Sequence, residues 1–146
     1  MPVVDASVWV ALFNDRDAGH AAARAWLAAA MAEEEPIVAP VILLAEVSAA
    51  LARASTDEPS PIEAVKLLRG HGLVELFPVD ETLAARAAVI AAACRLRGAD
   101  AIYVALADRL AMPLVTSDRQ QLERGARVVA TCAPPPSPPP APAPRA

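Results

Sequence analysis

Short apolar runs alternate with longer, alanine-rich segments along most of the chain. We predict strands at residues 2–5, 37–39, 74–79, 113–117 and 127–131. Helical segments separate these runs, and such an alternation predicts a mostly parallel sheet with helices on both faces. Aromatic residues make up only 3% of the chain. This composition favours thin helices packed closely on a sheet over a β-sandwich built on large side chains.

The helical segments begin and end at residues that are typical of helix ends. Pro40 is expected at the first position of a helix over residues 40–54, where no N–H is needed. Asp80 is expected to cap a long helix that runs to Arg97 and ends at Gly98. Further helices are predicted to begin at Ser7, to end at Ala32 and at Arg69, to span 100–111, and to begin at Asp118.

The length of 146 residues suits one domain with a real core. We expect this domain to span residues 1–132, and residues 133–146, almost entirely Pro and Ala, to form a disordered tail. The apolar runs are too short for a membrane span, and no secretory signal precedes Asp5. Cys94 and Cys132 have no Cys or His at ligand spacing. These features predict a cytoplasmic protein with reduced thiols.

The charge balance limits the possible functions. The formal net charge is −4, which argues against a module that binds nucleic acid through bulk positive charge. A metal-dependent nuclease stays possible, because bound divalent cations would offset the acids locally. With only two His in the chain, a zinc site is not expected.

Four acidic residues are predicted to gather at one edge of the sheet. The working residues of parallel sheets lie outside the carboxyl ends of the strands, where Asp5 and Asp118 follow the first and fourth strands. The helix over 100–111 and the strand that returns from it have matching lengths, about 18 and 17 Å, so Asp100 is expected at the same level. Glu46 is expected about two turns into its helix, just beneath this edge.

Helix capping is the alternative explanation for three of these acids. Asp5, Asp100 and Asp118 each stand where an Asp could cap a helix. Glu46 is expected in mid-helix among apolar neighbours, with no Lys or Arg one turn away, and a desolvated carboxylate there needs a compensating cation. Carboxylates are the ligands that Mg²⁺ and Mn²⁺ prefer. The four acids therefore predict a divalent metal site without a basic partner.

Four segments carry these acids: VVDASVWVALF, LLAEVSAAL, GADAIYVALA and LVTSD. In order, spacing and flanking residues they resemble PIN-domain ribonucleases, specifically the VapC-type toxins of type II toxin–antitoxin systems, over roughly residues 1–131. The resemblance implies a PIN-like three-layer α/β/α sandwich with a central, mostly parallel five-stranded sheet. It also implies Mg²⁺-dependent (or Mn²⁺-dependent) endoribonuclease activity, a cognate VapB-like antitoxin and a homodimer.

The resemblance also assigns roles to individual residues. The catalytic and metal-binding set is Asp5, Glu46, Asp100 and Asp118, with Asp5 and Asp100 as the foremost direct ligands. Ser7 and Thr116 match positions where small hydroxyls support the acids, although capping or strand packing would explain them equally well. Because Lys66 is the only lysine, RNA contacts would come from arginines near the motifs, namely Arg16, Arg24, Arg97 and Arg119.

These residues suggest a mechanism and two competing hypotheses. In the mechanism, the acids hold one or two Mg²⁺ ions, which polarise the scissile phosphate and activate a water. A phosphatase that uses Asp5 as nucleophile would want a second acid two residues on, where this chain has Ser7. A non-catalytic PIN-like or receiver-like interaction module with a structural metal is the other alternative, although a receiver domain also wants a late Lys, and none follows Lys66.

Overall fold

The computed structural model describes residues 1–55, 57 and 59–136. Within them, five strands form one sheet in the order β3-β2-β1-β4-β5, and every strand pair is parallel. The prediction of a mostly parallel five-stranded sheet is confirmed. The strands are β1 (Val3–Val4), β2 (Ile37–Pro40), β3 (Val74–Phe77), β4 (Leu114–Val115) and β5 (Thr131–Cys132).

Helices cover both faces of the sheet. They are α1 (Ala6–Phe13), α2 (His20–Ala32), α3 (Leu43–Ala54), α4 (Pro61–Gly70), α5 (Glu81–Cys94), α6 (Gly98–Leu110) and α7 (Arg119–Gly125). The chain moves one way along the sheet from β1 to β3 and the other way from β3 to β5. Since crossovers between parallel strands are right-handed, α1–α4 and α5–α7 lie on opposite faces. The packing agrees, because α1 contacts α2 and α3, α3 contacts α4, and α6 contacts α5 and α7.

The core lies between the sheet and these two helical layers. The strand residues Val3, Val4, Val38, Leu114 and Val115 are at most 3% exposed. A parallel sheet that is covered on both faces requires such continuous apolar runs. Burial of each such side chain stabilises the fold by about 1.5–3 kcal/mol, so these short strands are held mainly by packing.

The third helix begins later than predicted. Pro40 is the last residue of β2, in register with Phe77, and the next N–H, that of Val41, donates to the Phe77 carbonyl at 2.8 Å. Pairing with β3 therefore extends the strand through the proline, and α3 begins at Leu43. As a consequence, Glu46 lies in the first turn of the helix, and the predicted mid-helix position is wrong.

Two other predicted boundaries are also wrong. Helix α5 ends at Cys94 because Arg95 adopts a left-handed backbone conformation with φ 54°, and Gly98 begins α6 instead of ending α5. The last strand is Thr131–Cys132 and not 127–131. The N–H groups of Val128 and Val129 both donate to the Gly125 carbonyl, at 2.9 and 3.0 Å, so this segment closes the turn after α7.

Residues 133–136 form neither helix nor strand, and Pro134 among them is buried. The rest of the predicted tail lies outside the described residues, and the domain boundary at 132 stays a prediction. In the part of the chain that the structure describes, no helix is long and apolar enough to cross a bilayer.

Ala111, at the end of α6, offers a test of the local backbone. It has φ 52°, a left-handed conformation that costs an L-residue free energy and suits glycine. We expect Ala111→Gly to raise the free energy of unfolding by about 0.5–1 kcal/mol, whereas Ala88→Gly, at an exposed position within α5, lowers it by about 1 kcal/mol. Denaturant unfolding of the wild type and both variants measures these two changes in the free energy of unfolding. A loss of stability in Ala111→Gly contradicts the assignment.

Candidate active site

The candidate site lies where the direction of the chain reverses. Strands β1 and β4 are neighbours, with Val4 in register with Val115, yet the chain leaves them towards opposite edges of the sheet. Such a switch point opens a crevice at the carboxyl ends of the strands, where ligands bind in α/β folds. Asp5 directly follows β1, and Thr116 directly follows β4. The predicted placement of acids at this edge agrees with the topology.

Asp5 is a buried carboxylate at the start of α1. Only 4% of the residue is exposed, and its Oδ2 accepts hydrogen bonds from the Ser7 N–H at 3.0 Å and the Thr116 hydroxyl at 3.1 Å. Among the described residues, no cationic group lies within ion-pair distance of it. Burial raises the pKa of Asp5, these hydrogen bonds lower it, and the negative charge of Asp100 raises it further.

Two hydroxyls connect the ends of β1 and β4. The Thr116 hydroxyl, fully buried, donates to Asp5 and accepts a bond from the Asp118 N–H at 3.0 Å. The Ser7 hydroxyl lies 3.3 Å from that of Thr116 and accepts a bond from the Ser117 N–H at 2.9 Å. The side chains of Ser7 and Thr116 therefore determine the spacing of Asp5 and Asp118.

Arg97 forms ion pairs with two of the four acids. Its Nε donates to Asp100 Oδ2 at 2.9 Å, and its Nη2 lies 3.5 Å from Asp118 Oδ2. The prediction of an acidic cluster without a basic partner is therefore wrong for Asp100 and Asp118. The sequence did not predict this contact, because it placed the end of α5 at Arg97, whereas α5 ends at Cys94. Because α6 begins at Gly98, Arg97 becomes its N-cap residue and lies one helical turn from Asp100.

Glu46 has a neutral partner. The Tyr103 hydroxyl donates to Glu46 Oε2 at 2.6 Å, and Tyr103 is fully buried. Burial raises the pKa of Glu46, the bond from Tyr103 lowers it, and the charges of Asp5 and Asp100 raise it. We did not predict Tyr103 from the sequence. A signal was present, because it is the only tyrosine and lies three positions after Asp100, on the same helical face.

Helix capping accounts for two of the acids. Asp5 caps α1, and Asp118 caps α7, with its Oδ1 accepting the Gln121 N–H at 2.8 Å. Asp100 is not a cap, since it lies within the first turn of α6. Capping engages Oδ2 of Asp5 and Oδ1 of Asp118. Capping and metal binding are therefore compatible roles for these two carboxyl groups.

Gln121 ties α7 to the start of α6. Its side-chain amide donates to the Asp100 carbonyl at 3.1 Å, while its backbone N–H holds Asp118. The residue is fully buried. The sequence carries no signal for this role, because a glutamine in the short polar segment RQQLERG looks like a surface residue.

A cleft of about 710 Å³ opens over these groups. All four acids line it, together with Ser7 and Arg97, and residues of α1, the α1–α2 connection and α3 extend it: Val10, Asp17, Ala45, Ala49, Ala50 and Arg53. Of the four arginines predicted to contact RNA, Arg97 is therefore at the cleft. Arg16, Arg24 and Arg119 are exposed and do not line it, and Arg119 pairs with Glu123 at 3.0 Å.

The chemistry of the cleft fits a divalent cation. Its acids offer only hard oxygen donors, and a cation would relieve the burial of Asp5 and the repulsion between the carboxylates. As arranged, no three His, Cys, Asp or Glu side chains among the described residues stand ready to hold an ion. The Arg97 side chain, 75% exposed, already contributes positive charge at Asp100 and Asp118, so binding would exchange one cation for another.

The raised pKa of Asp5 predicts a gain in stability when its charge is removed. The folded state holds the proton to higher pH than the unfolded chain does, so the free energy of unfolding falls as the pH rises from the ordinary pKa of 3.8 to the higher folded value. Above the folded pKa the free energy of unfolding stays at this lower level. We expect Asp5→Asn, whose amide oxygen can keep both hydrogen bonds, to gain on the order of 1 kcal/mol at neutral pH.

Thermal unfolding of wild type and Asp5→Asn from pH 3 to pH 8, without divalent cations, measures this difference. The two stabilities should converge at the acid end of the range. An Asn variant that is less stable than wild type at neutral pH would show that the carboxylate is better solvated than its burial indicates.

Comparisons with known proteins agree with the geometry. The model of the PIN domain family matches residues 3–127. No curated protein sequence matches the chain. The solved structure of Mycobacterium tuberculosis VapC20, described as a toxin that cleaves the Sarcin-Ricin loop, is similar with a TM-score of 0.74 and 21% identity, over 86% of this chain and 95% of that one.

Two further solved structures are also similar in fold. FitAB bound to a DNA fragment gives a TM-score of 0.64 at 21% identity, over 92% of this chain and 95% of that one. FitAcB from Neisseria gonorrhoeae gives 0.66 at 20% identity, over 92% and 98%. At these identities the structures support a shared fold.

Proposed function

Because this chain belongs to the PIN domain family, we propose that it is a Mg²⁺-dependent (or Mn²⁺-dependent) endoribonuclease that hydrolyses RNA phosphodiester bonds. The single observation that carries the proposal is the convergence of Asp5, Glu46, Asp100 and Asp118 on one cleft at the β1–β4 switch point. They come from four separate parts of the chain, and capping explains only two of them.

The four carboxylates are the proposed metal-binding and catalytic set. When bound, a divalent ion would polarise the scissile phosphate and lower the pKa of an attacking water. Hydrogen bonds already orient two of these carboxylates: Thr116 and the Ser7 N–H bind Asp5, and Tyr103 binds Glu46. Hydrogen bonds of this kind keep ligands at their working geometry. We therefore assign Ser7 and Thr116 a supporting role.

Arg97 has a second proposed role, as the phosphate-binding group at the cleft. Its guanidinium is exposed and pairs with Asp100 and Asp118. Once these carboxylates face a metal cation, Arg97 is free to donate to a phosphate, for which the planar guanidinium is well suited. The same side chain would then offset the negative charge of the acids in the metal-free protein and bind the substrate phosphate in the metal-bound protein.

We further propose that the protein is the toxin of a VapBC-like toxin–antitoxin module. On this proposal it acts in the cytoplasm as a homodimer and is neutralised by a VapB-like antitoxin. The support is family membership, together with fold similarity to the VapC20 toxin and to FitAB. A phosphatase is not favoured, because the position two residues after Asp5 holds Ser7, whose hydroxyl contacts Thr116 and Ser117.

Asp100→Asn tests the nuclease directly. We expect the variant to lose cleavage of structured RNA in Mg²⁺ by at least 100-fold, and to lose the rise in Tm that Mg²⁺ gives the wild type. Asp108→Asn is the matched control on the same helix, because Asp108 pairs with Arg86 at the surface and not with the cleft. Gel assays with Mg²⁺ and with EDTA, and thermal unfolding with both, give the two readouts.

The outcomes separate the competing functions. Full activity in Asp100→Asn would refute the proposed site. A wild type that is stabilised by Mg²⁺ but cuts none of a panel of structured RNAs would favour the non-catalytic interaction module with a structural metal.

Arg97→Ala should change metal and RNA binding in opposite directions. Because Arg97 competes with a cation for Asp100, its removal should tighten Mn²⁺ binding several-fold in calorimetry. Because it also binds phosphate, its removal should raise KM for RNA about tenfold. Arg119→Ala, which removes the same charge from a residue paired with Glu123, should change neither. Weaker Mn²⁺ binding in Arg97→Ala would instead mean that Arg97 holds the acids in place.

A further inference from the structure

A second arginine lines the same cleft, two residues after the segment LLAEVSAAL. Arg53 lies in the last turn of α3 and is exposed, and it shares the cleft wall with Glu46. The two residues are seven positions apart, which is about two helical turns on one face and about 10.5 Å along the axis. The cleft therefore extends from its acidic end along α3 to a positively charged end.

The wall between these residues is open and apolar. The small side chains of Ala49 and Ala50 form it, so a ligand can lie close to the helix. Within the described residues, no carboxylate is within ion-pair distance of Arg53, whereas Arg86, Arg97 and Arg109 all have acidic partners. The guanidinium of Arg53 is thus available to an anion that reaches along the cleft.

The chemistry of the lining identifies the kind of anion. The described lining contains no aromatic side chain on which a base could stack, so binding along α3 would depend on phosphate charge. Nucleotides in a stacked strand rise by about 3.4 Å each, so the distance from Glu46 to Arg53 corresponds to at most about three nucleotides. Asp17 also lines the cleft, and its carboxylate, which accepts the Gly19 N–H at 2.7 Å, repels phosphate from the α1–α2 side.

We propose that Arg53 binds a second phosphate of single-stranded RNA, one to three nucleotides from the phosphate at the acids. This inference rests on the proposed nuclease function and extends it. The substrate is a strand that lies along α3, held by Arg97 near the acids and by Arg53 at the far end. The contact is to the backbone, so it selects the length and path of the strand and not its sequence.

Binding of a fluorescent eight-nucleotide RNA, followed by anisotropy with Ca²⁺ in place of Mg²⁺, tests this contact. We expect Arg53→Ala to weaken binding about five- to tenfold at low salt and to reduce the slope of log K against log salt by about 0.7, the value for one phosphate of a single strand. Arg53→Lys should keep most of the affinity. Arg69→Ala, an exposed arginine in the last turn of α4 outside the cleft lining, is the matched control.

Neutralising single phosphates then locates the contact. Each phosphate of the same RNA is replaced in turn by an uncharged methylphosphonate. In the wild type, one position up to three nucleotides from the cut site should lose affinity, and in Arg53→Ala that position should become insensitive, because the two changes remove the same interaction.

The proposal is overturned if Arg53→Ala leaves the RNA affinity and the salt slope unchanged. It is also overturned if neutralising the same phosphate still weakens binding in Arg53→Ala. Either result would indicate that Arg53 contacts a protein partner instead. Failure of the nuclease is a separate result. If the wild type binds the RNA through Arg53 but does not cut it, only the catalytic proposal is refuted. In that case the phosphate bound by Arg53 is counted from the phosphate whose neutralisation effect changes most in Arg97→Ala.

Discussion

The parallel pairing of β1 with β4 is the contact on which the candidate site depends. It places Val4 beside Val115, so the residues that follow these strands, Asp5 and Thr116, meet at the sheet edge and hydrogen-bond at 3.1 Å. The chain departs from the two strands in opposite directions, so no crossover helix fills the space between them. The crevice is a consequence of strand order. Asp5 and Asp118 line it because they follow β1 and β4, whereas Glu46 and Asp100 line it from the first turns of α3 and α6.

This arrangement costs stability in the free protein. Burial disfavours the charged form of Asp5 and of Glu46, and the repulsion between carboxylates adds to it. The fold offsets part of the cost with the Tyr103 hydroxyl and the Arg97 guanidinium, neither of which neutralises Asp5. On the proposed function, a bound cation would relieve this cost, so that function and stability would oppose each other in the free protein.

The sequence predicted the sheet and the convergence of the four acids on one cleft, and it predicted the partners of the acids poorly. Strand–helix alternation and the positions of Asp5 and Asp118 are local features, so they could be found by pattern. The start of α3 was misplaced because strand pairing of Pro40 with Phe77 is a long-range contact. The ion pairs of Arg97 with Asp100 and Asp118 were missed as a consequence of the α5 boundary. The bonds of Tyr103 to Glu46 and of Gln121 to Asp100 join separate helices, so only packing reveals them.

The sequence by itself determined the layered α/β architecture, because burial on both faces requires uninterrupted apolar strands and the helices between them must cover those faces. It also determined which residues could supply hard oxygen ligands. Only the tertiary structure decided which charges face one another: that Arg97 contacts Asp100 and Asp118, that Glu46 receives a neutral donor, and that Arg53 shares their cleft. The physical reason is that electrostatic partners are set by distances between elements, and these depend on where helices end and how they pack.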